Sequence, residues 1–165
     1  MEIGDFAGRF RADIRARLDW ALLARSGARV EVETLSGGAG RRRLAELFTV
    51  WYVDGAGAGS RWDAPGSRPL RVEESERALS CWPEDRRRAV VALARSFAAG
   101  TGPLDLTVPA YRVGEGRHVL LDGNHRAVAA HLVPGRDLRL TLWALTGPVR
   151  EDILPDLRHY AVPPG

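Results

Sequence analysis

Five consecutive residues carry the side chains best suited to chemistry: Asp122, Gly123, Asn124, His125 and Arg126. They stand between an apolar run, Val119-Leu120-Leu121, and an alanine-rich stretch, Ala127-Val128-Ala129-Ala130. Arg126 brings a permanent charge and a planar fork that matches phosphate oxygens. His125 can donate a hydrogen bond or carry a proton near neutral pH. Asp122 or Asn124 can accept from the free N–H groups of a helix start. Upstream, Glu73, Glu74 and Glu76 form a second group of candidate carboxylates.

The elements that must position these residues follow from the flanks. The β-branched and aliphatic residues 119–121 predict a buried strand. Gly123 permits the sharp turn, and the alanines predict a helix over 124–130. A helix start presents unpaired N–H donors and a partial positive charge, a combination that suits phosphate or carboxylate. The bland alternative is a capped helix start with solvated polar groups. The unbroken polar run between two apolar segments favours the anion site.

The sequence Leu121-Asp122-Gly123-Asn124-His125-Arg126, followed by Ala-x-Ala-Ala, resembles the signature turn of the ParB/sulfiredoxin superfamily. The strand-like segment 106–113 fits the strand that precedes this turn. The resemblance covers roughly residues 68–145, and its specific part is the six-residue turn. It implies an α+β fold with a mixed sheet and flanking helices, and a turn that holds nucleotide phosphates through Gly123, Asn124, His125 and Arg126. Sulfiredoxins have a cysteine where this chain has Asn124, which argues against sulfinic-acid reduction. Partition proteins carry Glu-Arg-Arg and a further arginine, where this chain has Asn124, His125, Arg126 and Ala129. The turn is most similar to the Asp-Gly-His-His-Arg of free-serine kinases. That similarity implies ATP or another nucleotide with Mg²⁺, and catalytic roles for Asp122, His125 and an acidic residue after the first core strand. Glu74 lies in the comparable place, with Glu73 and Glu76 as competitors.

Composition bounds the remaining choices. A chain of 165 residues, 45% hydrophobic and 27% charged, suits one well-buried globular core, or one domain with an N-terminal elaboration. All 24 cationic residues are arginine. Without lysine there is no Walker lysine, no Schiff base and no Ser-x-x-Lys pair, so pyridoxal-phosphate enzymes and P-loop ATPases are excluded. A net charge of +3 is mild. The runs Arg41-Arg42-Arg43 and Arg86-Arg87-Arg88 read as solvated surface, so nucleic-acid binding is not expected beyond a weak, salt-sensitive level. No stretch of 18 apolar residues occurs and no signal-peptide core opens the chain, so no membrane span is expected. The single cysteine, Cys81, reads as a small buried hydrophobe and suits a cytoplasmic location. The histidines 118, 125, 131 and 159 form no zinc-like cluster.

Taken in order, residues 5–25 predict one amphipathic helix with Phe6, Phe10, Ile14, Leu18, Ala21 and Leu22 on its apolar face. Alternation over 30–34 predicts a half-exposed strand, 36–40 a glycine-rich loop, and 47–53 an interior strand paired with the previous one. Residues 54–67 read as a mobile loop, with a lid over the site as the alternative. A short strand at 68–72 leads to acids at a helix start. A helix from Pro83 to Gly100 and a hairpin around Gly114-Glu115-Gly116 follow. A further strand includes 138–143, and helical turns begin at Pro155. The expected architecture is therefore an N-terminal helix and β-hairpin over 1–66, attached to a ParB/sulfiredoxin-like domain over 67–165. The expected function is nucleotide-phosphate binding by a small-molecule enzyme, with ATP-dependent phosphoryl transfer to a hydroxyl-bearing metabolite. The alternative is a non-catalytic, nucleic-acid-associated or regulatory module. Against it, the chain runs only about 20 residues past its last strand, short of a helix-turn-helix domain.

Overall fold

The computed structural model describes residues 2–79 and 82–161. Cys81, expected as a small buried residue, lies outside them. Alternating apolar residues decide the sheet. In β5 (Leu104–Gly114) and β7 (Leu138–Thr146), Leu104, Leu106, Val108 and Ala110 stand beside Leu138, Leu140 and Leu142, all on one face. Tyr111, Val113 and Leu145 point to the other. These two strands pair in parallel over eight registered positions. The remaining strands are β1 (Arg29–Ser36), β2 (Phe48–Val53), β3 (Gly59–Ser60), β4 (Arg68–Arg71) and β6 (Arg117–Leu120). Together they make a seven-stranded mixed sheet, ordered β1-β7-β5-β6-β2-β3, with β4 also on β2. With six α-helices among the described residues, the architecture is mixed α and β.

Helices α3 (Gly37–Glu46), α4 (Val72–Ala78), α5 (Glu84–Ala99) and α6 (Asn124–His131) cover one face. Leu44, Val72, Ala78, Val90 and Ala127 to Ala130 pack there against the leucines of β5 and β7. The opposite face is covered by α1 (Ile3–Phe10), α2 (Trp20–Arg25) and the C-terminal 3-10 turn Pro155–His159. Phe6, Phe10, Leu23, Ile153, Leu154 and Leu157 bury themselves there. No helix among the described residues is long and apolar enough to cross a membrane.

Three sequence expectations need correction. Residues 5–25 are two helices, not one. Phe6, Phe10, Ile14 and Leu18 do face the core, but the chain turns between them. The backbone N–H of Asp19 goes to Ile153 O, and the Asp19 side chain caps a new helix by accepting from Leu22 N at 2.8 Å. Leu23, rather than Ala21 or Leu22, is the buried residue of that helix. Residues 37–46 are helix α3 and not a loop. Gly40 packs so closely that a Cβ there would meet Leu35 O at 2.8 Å, so the glycine serves helix-to-strand contact.

The third correction concerns the N-terminal hairpin, which does not form. β1 pairs with β7, whereas β2 joins β3, β4 and β6. A hairpin needs a short loop, and α3 instead carries the chain from one edge of the sheet across to its other half. The strands drawn from residues 1–66 and those from 67–165 thus share one sheet.

Candidate functional site

β6 and β2 run parallel but share only one registered pair, Phe48 with Val119. Beyond that pair they separate. A crevice outside the C-terminal ends of diverging parallel strands is where ligands sit in open α/β sheets. A cleft of about 890 Å³ opens here, lined from the chain after β6 by Leu121 to Arg126 and from β2 by Val50, Trp51 and Tyr52. The strand–turn–helix order predicted for 119–130 is present: β6 ends at Leu120 and α6 begins at Asn124.

Gly123 makes the turn. Its φ of 79° lies in the left-handed region that disfavours side chains. A Cβ there would also meet Arg126 Nη2 at 2.9 Å and Val108 Cγ1 at 3.0 Å. The guanidinium of Arg126 therefore lies back over the helix entrance. It pairs loosely with Asp122, Nη2 to Oδ2, at 3.6 Å, and both side chains remain partly exposed.

Neither Asp122 nor Asn124 caps α6. Gly123 is the N-cap residue, and no side chain among the described residues accepts from the first turn. Asn124 has a different task. It is 9% exposed, and its Oδ1 accepts the N–H of Val50 at 3.0 Å. That bond ties the start of α6 to β2 where β6 no longer pairs with it. The acceptor end of Asn124 is thus used by the fold, and its amide NH₂ is the part left to meet a ligand.

His125 packs edge-on to Trp51, with ring centroids 5.2 Å apart. Arg86 from α5 lies over the same tryptophan at 5.1 Å and over Trp82 at 5.8 Å. Burial first, and then the Arg86 charge, push the imidazole pKa below its ordinary value, against smaller opposing effects of Asp122 and Asp85. His125 is therefore neutral at neutral pH and offers a hydrogen bond rather than a fixed charge.

Glu74 lies outside the cleft lining. One of its oxygens accepts the Arg71 N–H at 2.8 Å, closing the start of α4, and the other meets Arg68 at 3.1 Å. Glu73 pairs with Arg71 at 3.6 Å, and neither it nor Glu76 lines the cleft. The structure thus brings Asp122 to Arg126 together and leaves the three glutamates aside.

Several cleft residues carried no sequence signal. Asp13 and Arg15 come from the turn after α1, Ser60, Arg61 and Trp62 from the glycine-rich segment, and Asp156 from the 3-10 turn. The segment 54–67 is a wall rather than a free linker: Trp62 O meets His159 Nε2 at 2.7 Å, and Arg158 lies over the Trp62 ring at 5.1 Å. The lining holds four arginines against three aspartates.

His118 belongs elsewhere. It is buried beside a smaller cavity of about 340 Å³ that is also lined by Arg43 and Arg112. Burial and those two cations hold its pKa down to about 4.

Comparison with protein-family models, with curated proteins and with solved structures found no match to this chain. The resemblance to the ParB/sulfiredoxin superfamily therefore rests on the turn at 121–126 and the strand before it.

Proposed function

We propose that the cleft binds a nucleotide by its phosphates at the Gly123–Arg126 corner, in a ParB/sulfiredoxin-like fold. We propose further that the protein transfers a phosphoryl group from it to a hydroxyl-bearing metabolite. The observation that supports this reading is the open end of α6. Its first turn has no side-chain cap, faces a cleft large enough for a nucleotide, and has the Arg126 guanidinium over its entrance. Free N–H donors, the helix dipole and a guanidinium converge on one place, which is the chemistry that holds a phosphate. The neutral His125 adds a donor, and Arg86, stacked on Trp51, adds positive potential.

Phosphoryl transfer depends on positioning and on neutralising charge. Asp122 is the carboxylate at the corner that could take part. Among the described residues no group of three or more His, Cys, Asp or Glu stands together as a metal site. Mg²⁺ that arrives on phosphate needs only one or two carboxylates besides the phosphate oxygens. Asp122, in the lining at that corner, suits that need.

Calorimetric titration of ATP with Mg²⁺ tests the reading. Arg126→Ala is expected to weaken binding by about 1.5–3 kcal/mol, roughly ten- to a hundredfold. Arg126→Lys is expected to recover only part, because the planar fork is lost. Equal affinity of wild type and Arg126→Ala would remove the phosphate corner, and phosphoryl transfer with it.

A further inference from the structure

The cleft has a second polar group, contributed by two parts of the chain far apart in sequence. Tyr52, in β2, is 4% exposed, and its hydroxyl donates to Asp156 Oδ2 at 2.5 Å. Burial, and then the hydrogen bond to Asp156, push the phenol pKa well above its ordinary value, so Tyr52 keeps its proton and remains a donor. One oxygen of Asp156 is committed by this bond. The other, Oδ1, takes no hydrogen bond among the described residues, and Asp156 lines the cleft.

Position and charge decide what that oxygen can take. Asn124 ties the phosphate corner to β2 at Val50, and Asp156 meets β2 at Tyr52. Both anchors lie on β2, and the corner and Asp156 line the same cleft. An ionised carboxylate only accepts hydrogen bonds and repels phosphate. It therefore selects a donor on the uncharged part of the ligand. Trp62, which lines the same cleft and is fixed by His159 and Arg158, supplies a flat apolar surface in the same wall.

Building on the phosphate-corner reading above, we infer that Tyr52 and Asp156 form the sugar-hydroxyl subsite of the cleft. Asp156 Oδ1 accepts from a ribose hydroxyl, and Tyr52 is the positioning residue that fixes the carboxylate. The ligand class is then a ribonucleotide rather than a bare polyphosphate or a deoxygenated analogue.

Titration calorimetry with Mg²⁺ and three probes, ATP, 2′,3′-dideoxy-ATP and tripolyphosphate, tests this inference. The wild type is expected to prefer ATP over the dideoxy analogue by about tenfold or more. Asp156→Asn keeps an acceptor for Tyr52 but loses the charge, and is expected to bring that preference close to one. The same variant should leave tripolyphosphate binding unchanged or tighter, because a repelling charge has gone. Tyr52→Phe should lose only part of the preference. A general loss of structure would weaken all three probes together, which the thermal melt of each variant also reads, and would overturn the assignment. An unchanged ATP preference in Asp156→Asn, or no preference in the wild type, would likewise overturn the hydroxyl subsite while leaving the phosphate corner intact. Unaltered binding of every probe to Arg126→Ala would overturn the phosphate corner, and wild-type protein that binds none of them would overturn both.

Discussion

The two ends of helix α6 meet the same physical problem and solve it differently. At its C-terminal end the backbone N–H groups of Leu132 and Val133 reach Val128 O and Ala130 O, and one side chain adds to them there and in the turn beyond. Arg41, from α3, donates Nη1 to Ala130 O at 2.6 Å and Nη2 to Val133 O at 2.8 Å, and also bonds Arg136 O. At its N-terminal end the free N–H groups have no side-chain partner among the described residues, and Gly123 keeps even a Cβ out of the way. A helix leaves unpaired groups at both ends. Where the protein satisfies them itself, the arrangement serves folding. Where it leaves them facing a cleft, a ligand is the natural partner. The arginines divide along the same line. Arg41 and Arg136, the latter bonded to Phe97 O, Thr101 O and Gly102 O, are spent on carbonyls. Among the described residues Arg126 has only a loose, partly exposed partner.

The sharpest break of this comparison is Arg41→Ala. It strips three charge-assisted bonds from partly buried carbonyls, and about 3 kcal/mol of stability is expected to go with them. For a chain of this size that corresponds to a fall in melting temperature of about 10 °C. Nucleotide affinity measured well below the melt should be unchanged, since Arg41 is remote from the cleft lining. A large loss of affinity would merge the two ends into one functional unit.

Asn124→Ala comes next and should separate from Arg41→Ala by affecting both properties. Removing Oδ1 leaves the Val50 N–H without its partner, at a cost of about 1–3 kcal/mol. It also unties the start of α6 from β2, so affinity for ATP with Mg²⁺ should fall as well. Thermal melts and titrations on the same preparations check this. Lost stability with full affinity would mean that the corner holds its shape without the tie.

The corner itself was legible in the sequence for a local reason. An apolar run, a left-handed glycine and a row of alanines specify strand, turn and helix within twelve residues, and each choice agrees with the next. The start of α5 at Pro83 and the hairpin between β5 and β6 were legible in the same way. What stayed hidden depended on distant contacts. Nothing local links Tyr52 to Asp156, or Asn124 to Val50. Tyr52 read simply as part of an apolar strand, and Asp156 fell unremarked in the helical turns expected from Pro155. Glu74 stood out because three acids gather beside a strand end, and its bond to the Arg71 N–H at the entrance of α4 had no local signal of its own. The glycines of 37–40 looked like a loop because their helix propensity is poor. Packing against Leu35 and the sheet overrides it.

The open end of α6 also carries the imidazole of His125. His125 has its pKa lowered by burial and by Arg86, so it is uncharged at neutral pH and gains a proton only in acid. Protonation adds a positive charge beside the proposed phosphate corner. Affinity for a polyphosphate should therefore rise as pH falls below the ordinary value of 6.5, by about a few-fold. His125→Asn should flatten that slope relative to wild type. Stability moves the opposite way. The unfolded chain takes up the proton first, so this contribution is complete above pH 6.5 and is lost as pH falls toward the folded pKa. Tripolyphosphate titrations and urea melts at pH 7.5 and 5.5 check both signs. Identical slopes in wild type and variant would place the imidazole out of reach of the anion.

The smallest expected effect is the one that decides whether the two ends truly differ. Arg126→Ala should change folding stability by no more than about 0.5 kcal/mol, however strongly it changes binding. Two contributions oppose each other. The pair with Asp122 is 3.6 Å long and partly exposed, so solvent screens it and it is worth about 0–1 kcal/mol. A cation in the first turn of a helix faces the positive end of the dipole, which costs about 0.3–1 kcal/mol. The sum lies near zero, and the melting temperature should move by about 2 °C or less. A residue that contributes so little to folding, yet lies across the entrance of an uncapped helix at the cleft, suits a partner outside the chain. If Arg126→Ala instead melted about 10 °C lower, as expected for Arg41→Ala, the guanidinium would be structural at both ends. The contrast between a closed and an open terminus would then disappear.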